Sequence, residues 1–131
     1  MLEALTLSLI DDDIIYQYGF QKILNDSDYQ GDILIFSEGL EAINYIKDNL
    51  NHNTKLPDII FLDINMPIMD GFQFMEEFTT LDPLMKKDIT IYMVTSSNDP
   101  SDVKRAKEIS KISDYILKPI DIDTLLSLIN H

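Results

Sequence analysis

Ile59-Ile60-Phe61-Leu62-Asp63 sets four large apolar residues in a row directly before an acid. A strand with one wet face alternates apolar and polar residues. An unbroken run of this length therefore reads as a strand covered on both faces, the habit of parallel sheets. Pro57 opens the element and Asp63 ends it. Beyond the turn signals Pro67 and Gly71, residues Phe74, Met75, Phe78 and Leu81 recur at helical spacing, and Asp82-Pro83 stops that helix.

The same alternation of periods extends both ways. Upstream, Leu5-Thr6-Leu7-Ser8-Leu9-Ile10 alternates until it meets Asp11-Asp12-Asp13, a strand ending on acids. Tyr16, Phe20, Ile23 and Leu24 give one face of a helix over 14–25, and a second strand spans 32–36. A helix over 38–50 should turn Leu40, Ile43, Ile46 and Leu50 inward, before a polar connector over 51–55. Downstream, the pattern predicts a strand over 89–94 and a weakly apolar helix over 101–110, with Asp99 as N-cap and Pro100 at its first position. A short strand over 115–117 follows, then a helix that should bury Ile122, Leu125, Leu126 and Ile129. Strands alternating with helices imply right-handed βαβ crossovers, hence an α/β fold with a parallel sheet between two helical layers.

Composition bounds what such a domain can do. The 131 residues suit one domain, and 45% hydrophobic with 25% charged residues is a globular composition. Ten Lys+Arg against 23 Asp+Glu leave a net charge of −13, which would repel nucleic-acid phosphates and anionic membrane surfaces. With no cysteine, disulfides and thiolate chemistry are excluded. The start of the chain has no basic, apolar leader and no run is long enough to span a bilayer, so the expected location is cytoplasmic.

In folds of this kind ligands gather outside the carboxyl ends of the strands. Those ends carry Asp11, Asp12 and Asp13, then Asp63, Thr95 and Lys118. Crowded carboxylates repel one another, so an oxygen-rich set invites a hard cation such as Mg²⁺. A lysine and a hydroxyl beside it would suit a phosphoryl group. Asp13 reads as the acid that caps the first helix, which leaves Asp11 and Asp12 as the pair for chemistry. His52 and His131 have no acidic partner at ligand spacing.

These residues resemble the receiver domain of two-component response regulators, over nearly the whole chain. The resemblance rests on Leu7-Ser8-Leu9-Ile10-Asp11-Asp12-Asp13, on 61–71 (Phe-Leu-Asp-Ile-Asn-Met-Pro-Ile-Met-Asp-Gly), on Val94-Thr95-Ser96 and on Tyr115-Ile116-Leu117-Lys118-Pro119. It implies a flavodoxin-like, doubly wound five-stranded parallel sheet of order 2-1-3-4-5 with five helices, forming a single receiver domain over 1–131 with no output domain. Asp63 would accept a phosphoryl group from a phosphohistidine. Asp12 and Asp63, with the backbone carbonyl of Asn65, would bind Mg²⁺ (or Mn²⁺ in its place), and Asp11 would act mostly through water. Lys118 and Thr95 would contact the phosphoryl oxygens. Tyr115 would swing inward as Thr95 moves, reshaping the face of the fourth helix, fifth strand and fifth helix. The implied partners are a sensor histidine kinase or a histidine phosphotransfer protein and a downstream protein target, with no nucleic acid and no membrane. The connector at 51–55 is longer than in compact receivers, which costs little because loop closure grows slowly with length.

Two rival readings stand beside this one. An aspartyl-nucleophile phosphatase wants a second acid two residues after the nucleophile, where this chain has Asn65. A pseudo-receiver, which binds partners without phosphorylation, would have lost the acidic pair, the acceptor or the lysine, and all are present. Flavin binding is disfavoured by an acidic first loop.

Overall fold

The computed structural model of the chain describes residues 5–130, so the readings of residues 1–4 and of His131 lie outside the described residues. The elements in order are β1 (Leu7–Ile10), α1 (Ile14–Asp26), β2 (Ile33–Phe36), α2 (Gly39–Asp48), β3 (Ile59–Leu62), α3 (Gly71–Leu81), a 3-10 turn (Asp82–Leu84), β4 (Thr90–Thr95), α4 (Pro100–Lys107), β5 (Ile112–Leu117) and α5 (Ile122–Ile129). All strand pairs are parallel and the sheet order is β2-β1-β3-β4-β5, the flavodoxin-like order.

The two-faced burial expected of β3 is observed. Ile60 and Leu62 enter one apolar cluster with Ile43, Ile46, Phe74 and Phe78, so α2 and α3 cover that face, joined by Ala106 of α4. Ile59 and Phe61 enter the other, with Phe20, Leu24, Leu125 and Ile129 from α1 and α5. β4 repeats the division, Ile91 and Met93 to one side and Tyr92 and Val94 to the other. This is the two-residue period of a strand between two helical layers. Phe61 anchors one layer through ring contacts with Phe20 at 5.3 Å and Tyr92 at 5.8 Å.

Several readings change in detail. The alternation in β1 does not mark a wet face: all four residues are buried, and Ser8 lies inside with no hydrogen-bond partner for its hydroxyl among the described residues. Leu40 is 40% exposed, because it flanks the stripe through Ala42, Ile43 and Ile46 at about 100° per residue. Ile122, 44% exposed, opens α5 at the end of the sheet, and Leu128 rather than Leu126 joins the apolar cluster. β5 is longer than predicted because backbone pairing to β4 extends it through Ser113 and Asp114, polar residues that an edge strand can carry. α4 is shorter, ending at Lys107. The 51–55 connector is pinned: Lys87 Nζ donates to the carbonyls of Asn53 at 2.9 Å and Leu56 at 2.7 Å.

The caps read at Asp13 and Asp99 are observed: Asp13 Oδ1 accepts from the amides of Ile15 and Tyr16, and Asp99 accepts from the amide of Ser101 with Pro100 opening α4. At α3 the structure adds a reciprocal capping box between Asp70 and Gln73. Gly71 has a separate constraint. A Cβ built there would meet the carbonyl oxygen of Asp63 at 2.4 Å and Ile64 Cα at 2.9 Å, both backbone atoms that cannot turn aside.

Gly71→Ala is expected to destabilise the fold by about 1–3 kcal/mol, the usual cost of overpacking. Gly19→Ala, in the interior of α1 with nothing within 4 Å of its Cβ position, should stabilise by roughly 0.5–1 kcal/mol. Urea unfolding of the two variants should move in opposite directions. Equal midpoints would refute the close-approach argument.

Candidate functional site

Hydrogen bonding carries the sheet one residue past two strands. The amide of Asp11 donates to the Phe36 carbonyl at 3.0 Å, and that of Asp63 to the Ile10 carbonyl at 3.0 Å. Both acids are therefore fixed to sheet backbone, not hung on loops. Asp11 is 0% and Asp63 6% exposed, while Asp12, one residue on, is exposed to solvent. Carboxylate oxygens of all three lie within 4.8 Å of one another. Lys118 reaches the group from the end of β5: its Nζ is 2.6 Å from Asp11 Oδ2 and 3.4 Å from Asp63 Oδ2. The Lys118–Pro119 peptide bond is cis.

Each carboxylate uses one oxygen locally. Asp11 Oδ1 accepts from the Asp13 amide at 2.9 Å, and Asp63 Oδ1 from the Ile64 amide at 2.8 Å. The second oxygens face Lys118. Burial pushes the Asp11 carboxyl above the usual carboxylate range, and the neighbouring Asp63 charge adds to this, against the opposing pull of Lys118. Burial works to lower the Lys118 ammonium, but Asp11 and Asp63 outweigh it and hold its pKa above the ordinary value. Lys118 is thus a firmly charged cation.

The donor set also fits a hard divalent cation. Asp11 Oδ2 is buried and has the Lys118 ion pair but no aligned hydrogen bond, so it retains free acceptor capacity. The carbonyl of Asn65 accepts no backbone hydrogen bond among the described residues. Three carboxylates this close form an oxygen donor set of the kind that suits Mg²⁺ or Mn²⁺.

Thr95 ends β4 fully buried, paired with Leu117 across the sheet. Its carbonyl accepts from the Lys118 amide at 2.9 Å, and its hydroxyl oxygen accepts from the Ser97 amide at 3.2 Å. Tyr115 lies half-buried, and its hydroxyl donates to the Ser97 carbonyl at 2.7 Å. So Asp11, Asp12, Asp63 and Lys118 meet directly, Thr95 adjoins Lys118 through backbone, and Tyr115 stands one loop away.

Two participants escaped the sequence reading. Ser97 reads as a small turn residue, yet its hydroxyl donates to Asp102 at 2.7 Å and its carbonyl receives Tyr115, tying the β4–α4 loop to both neighbours. Tyr16 reads as part of the apolar face of α1, but its ring lies under the Lys118 ammonium, 4.2 Å from centroid to Nζ. Burial, and then the charges of Asp11 and Asp63, push its phenol far above the ordinary value, so it stays neutral. The available signal was weak: a tyrosine carries a polar tip where a purely apolar face needs none.

Comparison with known proteins places this geometry. The family model described as response regulator receiver domain matches residues 7–130. The chain is 28% identical over 122 residues to the chemotaxis protein CheY of Listeria monocytogenes, covering 93% of this chain and 92% of that protein. It is also 28% identical over 123 residues to the transcriptional regulatory protein ZraR of Klebsiella oxytoca, covering 94% of this chain but only 25% of that one. The crystal structure of a two-component response regulator from Cytophaga hutchinsonii superposes with a TM-score of 0.83 at 28% identity, covering 96% of this chain and 95% of that one. Strand order, acidic rim and sequence match therefore agree, and the chain belongs to the response regulator receiver domain family.

Proposed function

We propose that the chain is a phosphoacceptor switch in a two-component relay, with Asp63 taking a phosphoryl group from a phosphohistidine. The observation that carries this reading is the Lys118 ammonium held 3.4 Å from the buried Asp63 carboxylate, with two further carboxylates at the same rim. The donor is a sensor histidine kinase or a histidine phosphotransfer protein. Exposed Ile14, Ile15 and Tyr18 at the start of α1, beside the acids, offer such a partner an apolar seat.

In the transfer, an Asp63 carboxylate oxygen attacks phosphorus in line. The new O–P bond forms as the N–P bond breaks, and the imidazole nitrogen keeps the electron pair. Lys118 neutralises charge on the phosphoryl oxygens, and the Thr95 hydroxyl donates a hydrogen bond to one of them. Asp12, Asp63 and the Asn65 carbonyl would hold Mg²⁺ (or Mn²⁺), with Asp11 acting through water. Bound there, the ion would supply positive charge to the transferring phosphoryl group. Drawing the Thr95 hydroxyl to a phosphoryl group removes the acceptor of the Ser97 amide, and Ser97 in turn holds Tyr115. The state of Asp63 thereby reaches the α4–β5–α5 face, where a downstream protein reads it.

Treatment with acetyl phosphate and Mg²⁺ should add one hydroxylamine-labile phosphoryl group, visible by intact mass. Asp63→Asn should show none, and chelation of Mg²⁺ should slow the reaction about a hundredfold or more. A wild type that stays unmodified would turn the reading to a pseudo-receiver. Steady release of phosphate from a phosphomonoester, lost in Asp63→Asn, would turn it to a phosphatase.

The like-charge rim gives a second test. Mg²⁺ should raise the thermal midpoint of the wild type by a few degrees, about 2–6 °C. Asp12→Asn should raise the metal-free midpoint and abolish most of that response. A variant that loses stability without metal, measured by calorimetry, would contradict the repulsion argument.

A further inference from the structure

Among the described residues the Lys118 ammonium meets two carboxylates and, beside them, a partner that carries no charge. Besides Asp11 Oδ2 at 2.6 Å and Asp63 Oδ2 at 3.4 Å, Nζ sits 4.2 Å from the centre of the Tyr16 ring. A cation over an aromatic face is attracted by the ring's quadrupole, most strongly where water is excluded. Here the ammonium belongs to a side chain that is only 14% exposed. The ring is itself held in place. The amide of Tyr16 donates to the N-cap Asp13 at 3.2 Å, and the ring packs on Phe20 at 6.5 Å, which meets Phe61 of β3 at 5.3 Å. A row of aromatic rings thus runs from the core to the rim and ends under the cation.

We propose that Tyr16 is a positioning residue for Lys118, its ring holding the ammonium over the rim so that it is in place when Asp63 receives the phosphoryl group. This rests on the reading of Asp63 as phosphoacceptor. Both carboxylate partners would change during that event: Asp63 would become an acyl phosphate, and Asp11 would turn, through water, toward the cation held by the acidic rim. The ring is the neighbour that does not change. It cannot be neutralised by a metal ion, and it does not compete with phosphoryl oxygens for the ammonium protons. Without it, Lys118 is left to the shortest contact in the site, the one to Asp11, which draws it away from the acceptor. The phenol hydroxyl has no hydrogen-bond partner among the described residues, so the ring, not the hydroxyl, makes the contribution.

The test compares Tyr16→Phe, Tyr16→Leu and Tyr16→Met with the wild type. All keep an apolar side chain, and thermal midpoints establish that each is folded. The first readout is the NMR shift of the Lys118 ε-methylene protons in metal-free, unphosphorylated protein. An upfield ring-current displacement is expected in the wild type and Tyr16→Phe, and should be absent in Tyr16→Leu and Tyr16→Met. The second is the rate constant for modification of Asp63 by acetyl phosphate with Mg²⁺. Tyr16→Phe should stay within about twofold of the wild type. The Leu and Met variants should fall by about 5- to 30-fold, the factor that a partly desolvated cation–π contact corresponds to. Leu and Met variants that lose the displacement yet react at the wild-type rate would overturn the inference while leaving Asp63 as acceptor. A Tyr16→Phe rate as low as that of Tyr16→Leu would overturn it too, by assigning the effect to the hydroxyl. A wild type that takes no phosphoryl group would overturn both this and the reading beneath it.

Discussion

Three carboxylates within 4.8 Å of one another repel, and the site depends on how the fold holds them there. Two of the three are almost completely buried, where charge is least tolerated, and among the described residues Lys118, from the far end of the chain, is the cation that pairs with them. The sheet restrains the arrangement. Asp11 and Asp63 are tied by backbone hydrogen bonds to Phe36 and Ile10, and apolar clusters cover both faces of the strands that carry them. A rim so constrained is poised to gain from a divalent ion or from a phosphoryl group that takes up the lysine. Receiver domains are signalling phosphoacceptors that bind Mg²⁺ through such an acidic cluster, and the oxygen-only donor set here suits that chemistry.

The rim is joined to one flank of the molecule by a short chain of contacts. The Lys118 amide meets the Thr95 carbonyl, the Thr95 hydroxyl oxygen takes the Ser97 amide, and Ser97 receives the Tyr115 hydroxyl and donates to Asp102 of α4. Each link is a single hydrogen bond, worth about 1 kcal/mol net. On the opposite side, α1 approaches the rim with an aromatic ring under the lysine and apolar residues facing outward. One cation thus lies between the acids, the loop and the first helix.

Much of this was legible from residue order. The continuous run at Ile59–Leu62 announced a two-faced strand, and Asp13, Asp70 and Asp99 announced helix starts, because caps and periodicity are local physics. The errors have local reading as their common cause. Ser8 is the polar position of an alternating run, but β1 is a central strand between β2 and β3 and all four of its residues are buried. Ile122 looked buried by its spacing, but it is the first residue of α5 and is 44% exposed. Ser113 and Asp114 looked like loop, but Asp114 pairs with Tyr92 of β4 and Ser113 sits at the register shift just before it. Leu40 lay on the flank of a stripe whose centre only packing could define.

By itself the sequence determined the alternation of strands and helices, the caps, and which acid, hydroxyl or ammonium follows each strand. These depend on neighbours a few positions apart, and a parallel sheet necessarily sends every strand end to the same edge. Tertiary structure alone decided that Asp11 is the deepest of the acids and the closest to Lys118. It also decided that Ser97 links Tyr115 to the rim, and that the Tyr16 ring ends under the ammonium. Those relations join separate segments across a few ångströms, and two of them bring the first helix or strand to Lys118 near the far end of the chain. Side-chain charge, burial and ring orientation at such a junction are set by packing, which no local pattern encodes.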